Sequence, residues 1–223
     1  MTQVTLMDKM GSDLSVVNSA RVSFAKEHET MQDNDEKLIK YLANHNHWSP
    51  FGHGSLQFRI KAPIFVARQL VKHQVGLVWN EVSRRYIDTD PEFYVPFLWR
   101  EKHENKKQGS TDKEVEYDIT PLIKKSKEMY QDMLDNNIAP ELARMILPQC
   151  MMTEWIWSGT LYAFARVCNL RNKPDAQQET TEVTRDIAHH MKDQFPISSK
   201  YLLENERKEY FVLVMVRVER VLI

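Results

Sequence analysis

The stretch His53–Gln74, HGSLQFRIKAPIFVARQLVKHQ, changes its hydrophobic period halfway along, and that change sets the fold class. From His53 to Lys61 the residues alternate, with Leu56, Phe58 and Ile60 on one face and Ser55, Gln57, Arg59 and Lys61 on the other, as in a half-buried strand. Ala62-Pro63 breaks the alternation. Pro63 suits a first helical position, and Ile64, Val66, Ala67, Leu70 and Val71 then recur at helical spacing, predicting a helix to about His73. Upstream, Asp13 to Phe24 reads as a short helix, and Asp33 is placed to cap a second helix through Leu38, Ile39, Tyr41 and Leu42. Downstream, Asn80 to Tyr86 is polar and loop-like, and Glu92 to Leu98 is extended between Pro91 and Pro96. Arg100 to Lys113 (REKHENKKQGSTDK) reads as a solvated surface loop with no assigned function. Helices are predicted over Glu114 to Asn137, Pro140 to Pro148, Leu161 to Asn169 and Asp175 to Gln194, with a Trp-rich strand at Met151 to Ser158. Because strands and helices alternate irregularly, the expected class is α+β with an antiparallel sheet rather than a doubly wound parallel one.

The chain has 223 residues, 42% of them hydrophobic, and 30 Lys+Arg offset 31 Asp+Glu to a formal charge of −1. That is enough chain for one domain with a core and an internal cavity, without disulfides or structural metals. Near-neutrality supplies no global attraction to nucleic acid or to an anionic membrane. Cys150 and Cys168 lack CxxC spacing, so a reducing, cytoplasmic compartment is expected. The N-terminal residues show no signal-peptide pattern, and the longest apolar run, Phe211 to Val216, is far short of a membrane span. With 6 glycines and neither GxGxxG nor GxxxxGK[ST], any nucleotide must be held by side chains.

His45, His47 and His53 invite a metal reading, but HxH lacks the helical i, i+4 spacing of HExxH and no carboxylate or thiol lies at ligand spacing. No metal is expected. His189-His190 are adjacent and point apart on a helix. Cys150 sits before an apolar strand rather than in a cationic setting, and Ser83 has no Gly-x-Ser-x-Gly elbow, so neither is read as a nucleophile. The informative chemistry is anion recognition. Arg68 and Lys72 lie one turn apart, Gln69 and His73 form a parallel row, and Glu81-Val82-Ser83-Arg84-Arg85-Tyr86 follows. Ser83 and Arg85 suit a phosphate, and Glu81 suits a sugar hydroxyl or a cofactor. On spacing alone, a solvated basic face with internal ion pairs fits equally well. Further on stand Arg144 before Met145-Ile146-Leu147-Pro148, then Asn169-Leu170-Arg171 and Ala176-Gln177-Gln178-Glu179, a weak signal by themselves.

Taken in order, these pieces resemble the flavin-dependent thymidylate synthases. The matching blocks are Ala20-Arg21-Val22-Ser23-Phe24, His47-x-Ser49-Pro50-Phe51-x-His53, Ala62 to Gln69, Asn80-Glu81-x-Ser83-x-Arg85-Tyr86, Phe93-Tyr94-x-Pro96, Arg144-x-x-Leu147-Pro148 and Asn169-Leu170-Arg171. The resemblance runs from about Leu14 to Pro196. It implies a single α+β domain over residues 1–223, assembled as a homotetramer with active sites between subunits. It also implies bound FAD and reductive methylation of dUMP to dTMP, with methylenetetrahydrofolate as carbon donor and NADPH as reductant. By the same resemblance, Gln69, Lys72, Glu81, Val82, Ser83, Arg84, Arg85, Arg144 and Arg171 fall on the family's dUMP site. Ser23, His47, Ser49, Lys72, His73, Gln74, Glu81, Thr160, Tyr162 and Arg166 fall on its flavin site.

Arg171 is implied as the catalytic group, beside the uracil ring, stabilising charge as the pyrimidine is activated. A fixed cation in a water-poor site can lower a barrier by roughly 3–4 kcal/mol, whereas a guanidinium does not readily act as a base. The chain departs from the family at several points. Lys72 and Gln74 occupy signature Arg positions, Leu77 or Val78 stands at a Ser, and one extra residue separates His73 from Glu81. Thr160, Tyr162 and Arg166 also differ from the usual residues, and residues 197–223 form a divergent tail, with Tyr210 to Ile223 least like the family. Two rival readings stay open: a flavin-dependent methylase of another pyrimidine nucleotide, and a non-catalytic nucleotide-binding homo-oligomer that has lost flavin.

Overall fold

The computed structural model describes residues 2–104 and 109–204. Among them, four strands form one antiparallel sheet in the order β1-β2-β6-β3, where β1 is Gln3–Met10, β2 Ser55–Pro63, β3 Leu77–Glu81 and β6 Met152–Thr160. The alternation read in the sequence is the reason for β2: Leu56, Phe58 and Ile60 are buried, while Gln57 and Lys61 are half-exposed and Arg59 is exposed. In register with them, Trp157 faces Phe58 and Trp155 faces Ile60. Phe164 meets Phe58 and Trp157 edge-on, at 5.1 and 5.2 Å between ring centroids, and Trp79 stacks on Trp155 at 4.4 Å. Each such ring removes enough apolar surface from water to stabilise the fold by about 1.5–3 kcal/mol.

Both central strands run directly into helices. Pro63, still paired with Met152, has an extended backbone, and α3 (Ile64–Leu70) starts at the next residue. Pro63 therefore closes the strand as N-cap instead of opening the helix as expected. Thr160, paired with Ser55, is likewise extended, and its hydroxyl accepts from the Ala163 N–H at 3.1 Å, capping α6 (Leu161–Arg171). α6 packs on the long α7 (Gln178–Gln194), whose Val183, Ile187 and Met191 enter the core.

The N-terminal helices are α1 (Asp13–Arg21), extended by a 3-10 turn at Val22–Phe24, and α2 (Asp35–Asn44). Asn34, not Asp33, is the N-cap of α2. Asp35 instead folds back beneath the connecting loop. Fully buried, it accepts from Arg21 Nη2 at 2.6 Å and from the Gln32 N–H at 2.8 Å, and pairs with His28 Nδ1 at 2.9 Å. Asn18 clamps His28 through both backbone groups at 2.9 Å. A second buried carboxylate, Asp13, accepts from the Ile197 and Ser198 N–H groups at 2.9 and 2.8 Å, satisfying the open first turn of α8 (Pro196–Leu202). The beginning of the tail, residues 197–202, is thus a docked helix, and the segment Tyr210 to Ile223 lies outside the described residues.

The expected loop from Arg100 to Lys113 is a paired hairpin, β4 (Trp99–Lys102) with β5 (Ser110–Val115). Strand β5 displaces the start of the next helix, so α4 spans Thr120–Asp135 rather than beginning at Glu114. The helix expected over Pro140 to Pro148 is shorter, α5 (Pro140–Ala143) followed by a 3-10 turn to Ile146. No helix among the described residues is long and apolar enough to cross a membrane.

Burial alone would raise the Asp35 carboxyl, but the hydrogen bonds from His28, Arg21 and the Gln32 backbone together hold it below its ordinary 3.8. A lowered acid contributes stability that is complete above its unfolded value and is lost as pH falls through the folded one. Asp35→Ala should lower unfolding free energy by roughly 1–3 kcal/mol in urea titrations at neutral pH, and the difference from wild type should shrink as pH drops below 3.8. An unchanged urea midpoint would contradict this role.

Candidate active site

The helical row foreseen along Arg68 to His73 is cut short, because α3 ends at Leu70 and a tight turn follows, with His73 N–H on the Leu70 carbonyl at 3.0 Å. The two faces survive nonetheless. Arg68 and Lys72 are exposed, while Gln69 and His73 are half-buried against the end of α6. There Arg171, the last residue of α6, donates from Nε to His73 Nε2 at 3.0 Å and from Nη2 toward the Gln69 carbonyl at 3.5 Å. Its own carbonyl accepts from Thr181 Oγ1 at 2.8 Å. Since a guanidinium only donates, His73 must present a lone pair at Nε2 and carry its proton on Nδ1. Burial, then the neighbouring Arg171 and Arg166 charges, hold His73 below the ordinary 6.5, so it is neutral at physiological pH. Arg171 is fixed by neutral partners, and its three other N–H groups are not engaged by described residues.

The turn carrying Lys72, His73 and Gln74 is pinned to α6. Gly76, at φ +77°, accepts from the Thr160 N–H at 3.1 Å, and a Cβ there would lie 3.1 Å from that of Ala163. Thr160, expected as a flavin contact, has its hydroxyl engaged as the α6 cap. Tyr162 meets Trp48 at 6.4 Å between rings, and Trp48 is 59% exposed between His47 and Ser49. The His45 and His47 rings stack on Tyr41 at 4.1 and 5.8 Å. Ser49 opens a 3-10 turn against which α1 packs, and Ser23 is exposed in the turn after α1. An extended flavin cofactor needs cations for its diphosphate and flat apolar surfaces for its rings. Lys72 and Arg166 are exposed cations and Trp48 and Tyr162 an accessible aromatic pair, so the residues present fit that group.

The other expected substrate residues lie at the opposite end of α3. Ile64, about 9 Å from Leu70 along the helix axis, lines a cavity of about 470 Å³ together with Glu81, Val82, Arg84 and Arg144. Glu81, the last residue of β3, accepts from Thr153 Oγ1 at 2.7 Å and from Trp79 Nε1 at 3.1 Å. Arg84 donates to the Thr89 carbonyl, and Arg144 Nε reaches the Glu141 carbonyl at 3.3 Å. Ser83 and Arg85 pair with each other, Arg85 Nε to Ser83 Oγ at 3.2 Å, with the guanidinium 5.1 Å over Tyr86; neither lines the cavity. One chain thus brings Gln69, His73 and Arg171 together and, separately, Glu81, Val82, Arg84 and Arg144. Trp48 and Thr153 were not singled out as site residues, and Glu179 stood out only within the weak Ala176 to Glu179 signal, without a role. For Trp48 the only sequence signal was its place inside the His47 to His53 block. Cys150 is half-buried, and burial pushes its thiol up, away from nucleophilic use.

A family model described as thymidylate synthase complementing protein matches residues 5–197. Proteins named flavin-dependent thymidylate synthase are similar over most of the chain. That of Thermus thermophilus is 36% identical over 90% of this chain and 77% of its own length; that of Treponema denticola is 39% identical over 84% and 72%. Among solved structures, the UMP/dUMP methylase PolB from Streptomyces cacaoi bound with 5-Br dUMP superposes with a TM-score of 0.79 at 32% identity, covering 90% of this chain and 94% of its own. The same methylase bound with 5-Br UMP gives 0.76 at 28% identity, covering 92% and 97%. With the model match spanning both the sheet and the Arg171 cluster, the chain belongs to the flavin-dependent thymidylate synthase family.

Proposed function

We propose that this protein is an FAD-dependent thymidylate synthase, converting dUMP to dTMP with methylenetetrahydrofolate as carbon donor and NADPH as reductant. The observation that carries the reading is the Arg171 guanidinium, oriented by neutral groups with three N–H donors that no described residue engages. Bound flavin supplies the redox chemistry of the reaction. The protein's part is electrostatic and positional. Arg171 faces the pyrimidine, lowers the cost of negative charge on the ring, and needs no protein nucleophile beside it. Gln69 and Lys72 contact the nucleotide from the same side, while Glu81, Val82, Ser83, Arg84, Arg85 and Arg144 contact it from the other. Ser23, His47, Ser49, Lys72, His73, Gln74, Glu81, Thr160, Tyr162 and Arg166 surround the flavin, and Lys72 offers its phosphates a point charge in place of a planar fork.

Since the two nucleotide-binding groups sit at opposite ends of α3, a complete site needs the second group from a neighbouring copy. A homotetramer with sites between subunits meets that need. Its support is the set of large apolar side chains left in water, including Phe24 at 76%, Tyr86 at 78% and Phe97 at 91% exposure. A second reading, acceptance of UMP as well as dUMP, is favoured by the likeness to a UMP/dUMP methylase. Turnover of UMP beside dUMP by the flavin-loaded protein separates the two, and a colourless preparation that binds no flavin would contradict both.

Arg171→Ala should reduce dTMP formation by about 100- to 1000-fold, matching the loss of one fixed oxyanion-type donor, with thermal melting and assembly mass unchanged. Activity at the wild-type level would remove Arg171 from the mechanism. Protonating His73 would replace the acceptor for Arg171 with a second cation. Because the folded pKa lies below 6.5, the neutral form prevails above that value and is lost as pH falls beneath it. The wild-type kcat profile should therefore show an acid limb below pH 6.5. His73→Gln, which keeps an acceptor that does not titrate in this range, should flatten that limb, and an identical limb in the variant would refute the assignment.

A further inference from the structure

Behind the Arg171 cluster runs a chain of polar side chains that the reaction as described does not use. Glu179, in the first turn of α7, is 4% exposed. Its Oε1 accepts from Arg100 Nη2 at 2.6 Å and its Oε2 from Gln177 Nε2 at 3.1 Å. Arg100 is itself held, Nε to Ser110 Oγ at 2.8 Å, so the β4–β5 hairpin presents a fixed cation to this carboxylate. Tyr94 lies beside the pair, its hydroxyl pushed up to about 12 by burial and by the Glu179 and Glu182 charges, and so it stays neutral. At the far end, Gln177 Oε1 accepts from Gln69 Nε2.

The directions of these bonds are forced. A carboxylate ion-paired with arginine has acceptors only, so Gln177 must turn its NH2 group to Glu179. Its carbonyl oxygen is then what Gln69 meets, and Gln69 must offer its own NH2 in return. What remains is the Gln69 Oε1, which accepts no hydrogen bond from any described residue. Without Glu179 the amides could reverse together, exchanging an acceptor for a donor at no cost in hydrogen bonds.

We propose that Glu179 is a positioning residue which, through Gln177, locks the Gln69 amide so that it offers the bound nucleotide an acceptor and selects a donating group on it. The proposal rests on the reading above, in which Gln69 touches dUMP. On that nucleotide the donor is either the uracil N3–H or the 3′-hydroxyl. The lock is a specificity device: an amide free to rotate would greet donors and acceptors alike, while a fixed one leaves a mismatched ligand with two opposed lone pairs.

The test is a reversal of polarity, read as dUMP affinity by calorimetric titration of the full-length, flavin-loaded protein. Gln69→Glu sets a carboxylate oxygen against the Gln177 carbonyl, which cannot turn away while Glu179 holds its NH2, and should weaken binding at least about tenfold. Glu179→Gln alone frees the relay and should cost about threefold to tenfold. In the double variant the amide at 179 can donate to Gln177, which then turns its NH2 to the introduced carboxylate, whose other oxygen again faces the nucleotide. Affinity should return to within about threefold of wild type, a non-additivity that unrelated structural damage does not produce. Losses that simply multiply would overturn the relay.

Gln177→Met cuts the relay without touching the Arg100–Glu179 pair and guards against a variant that fails to fold. It should weaken dUMP about threefold to tenfold in protein that still folds and holds its flavin, and affinity within twofold of wild type would count against the proposal. Repeating the series with 2′,3′-dideoxyuridine monophosphate assigns the donor: the same pattern points to N3–H, and insensitivity to Gln69→Glu points to the 3′-hydroxyl. If the wild-type protein binds no dUMP, the nucleotide reading fails and the relay's role with it. Wild-type binding with multiplicative losses sinks the relay alone.

Discussion

The antiparallel ladder between β2 and β6 is the constraint on which the rest of the molecule depends. Each of these strands passes without a loop into a helix that ends at the site, α3 after Pro63 and α6 after Thr160, and each junction is paired with the opposite strand's first residue. The register of one ladder therefore places Gln69 and Arg171 relative to each other. A slip of one residue would turn Phe58, Ile60, Trp155 and Trp157 from the core to the outer face, and the cost of exposing those side chains holds the register. Positional accuracy at the active site is in this sense a product of core packing, with the aromatic cluster around Phe164 acting as its gauge.

How much of this could be read from the amino-acid order follows the burial of each element. β2 announced itself because its inward residues are large and apolar and its outward ones polar, and β6 because the buried Trp155 and Trp157 stand two apart. β1 was not foreseen, since it is an edge strand with only Val4 and Leu6 packed against the core and mostly polar neighbours. The β4–β5 hairpin was read as a loop for the same reason: its charged residues are held by pairing and by bonds such as Arg100 to Glu179, which carry no periodic signal. Asp13 was read only as the start of a helix, and Asp35 was passed over for Asp33. Their partners, the α8 first turn and the Arg21–His28 loop, are distant enough along the chain that no local pattern connects them.

The site itself was legible as a set of residue types and illegible as an arrangement. Arginines near glutamines in a chain of almost zero net charge are conspicuous, and resemblance to a family ordered them. Spacing, however, placed Arg68, Gln69, Lys72 and His73 on one helix and Glu81 to Arg85 on a following loop, with nothing to say how far apart the two groups end. The chain turns sharply at Gly76 and enters β3, which carries Glu81 to Arg85 away from Lys72 and His73. Ala176 to Glu179 stood out in the sequence without a role, because the role proposed for it lies in hydrogen-bond direction, which only the packed neighbours Arg100 and Gln69 set.

If Arg171 has the proposed role, its choice of partners suits a charged transition state. A carboxylate beside the guanidinium would hold it more firmly, but it would also cancel the field that the site is built to project. The chain uses a backbone carbonyl and a neutral imidazole instead, so orientation is fixed while the positive charge is left for the ligand. Two surrounding cations, Lys72 and Arg166, are exposed, where water screens their repulsion from Arg171. The carboxylate behind the cluster is already committed, Glu179 to Arg100, and Glu81 at the other end of α3 is held by Thr153 and Trp79. On the proposed reading, an anionic nucleotide here would meet the Arg171 charge on one side and the Gln69 amide, fixed in direction, on the other, the asymmetry that recognition of a pyrimidine monophosphate requires.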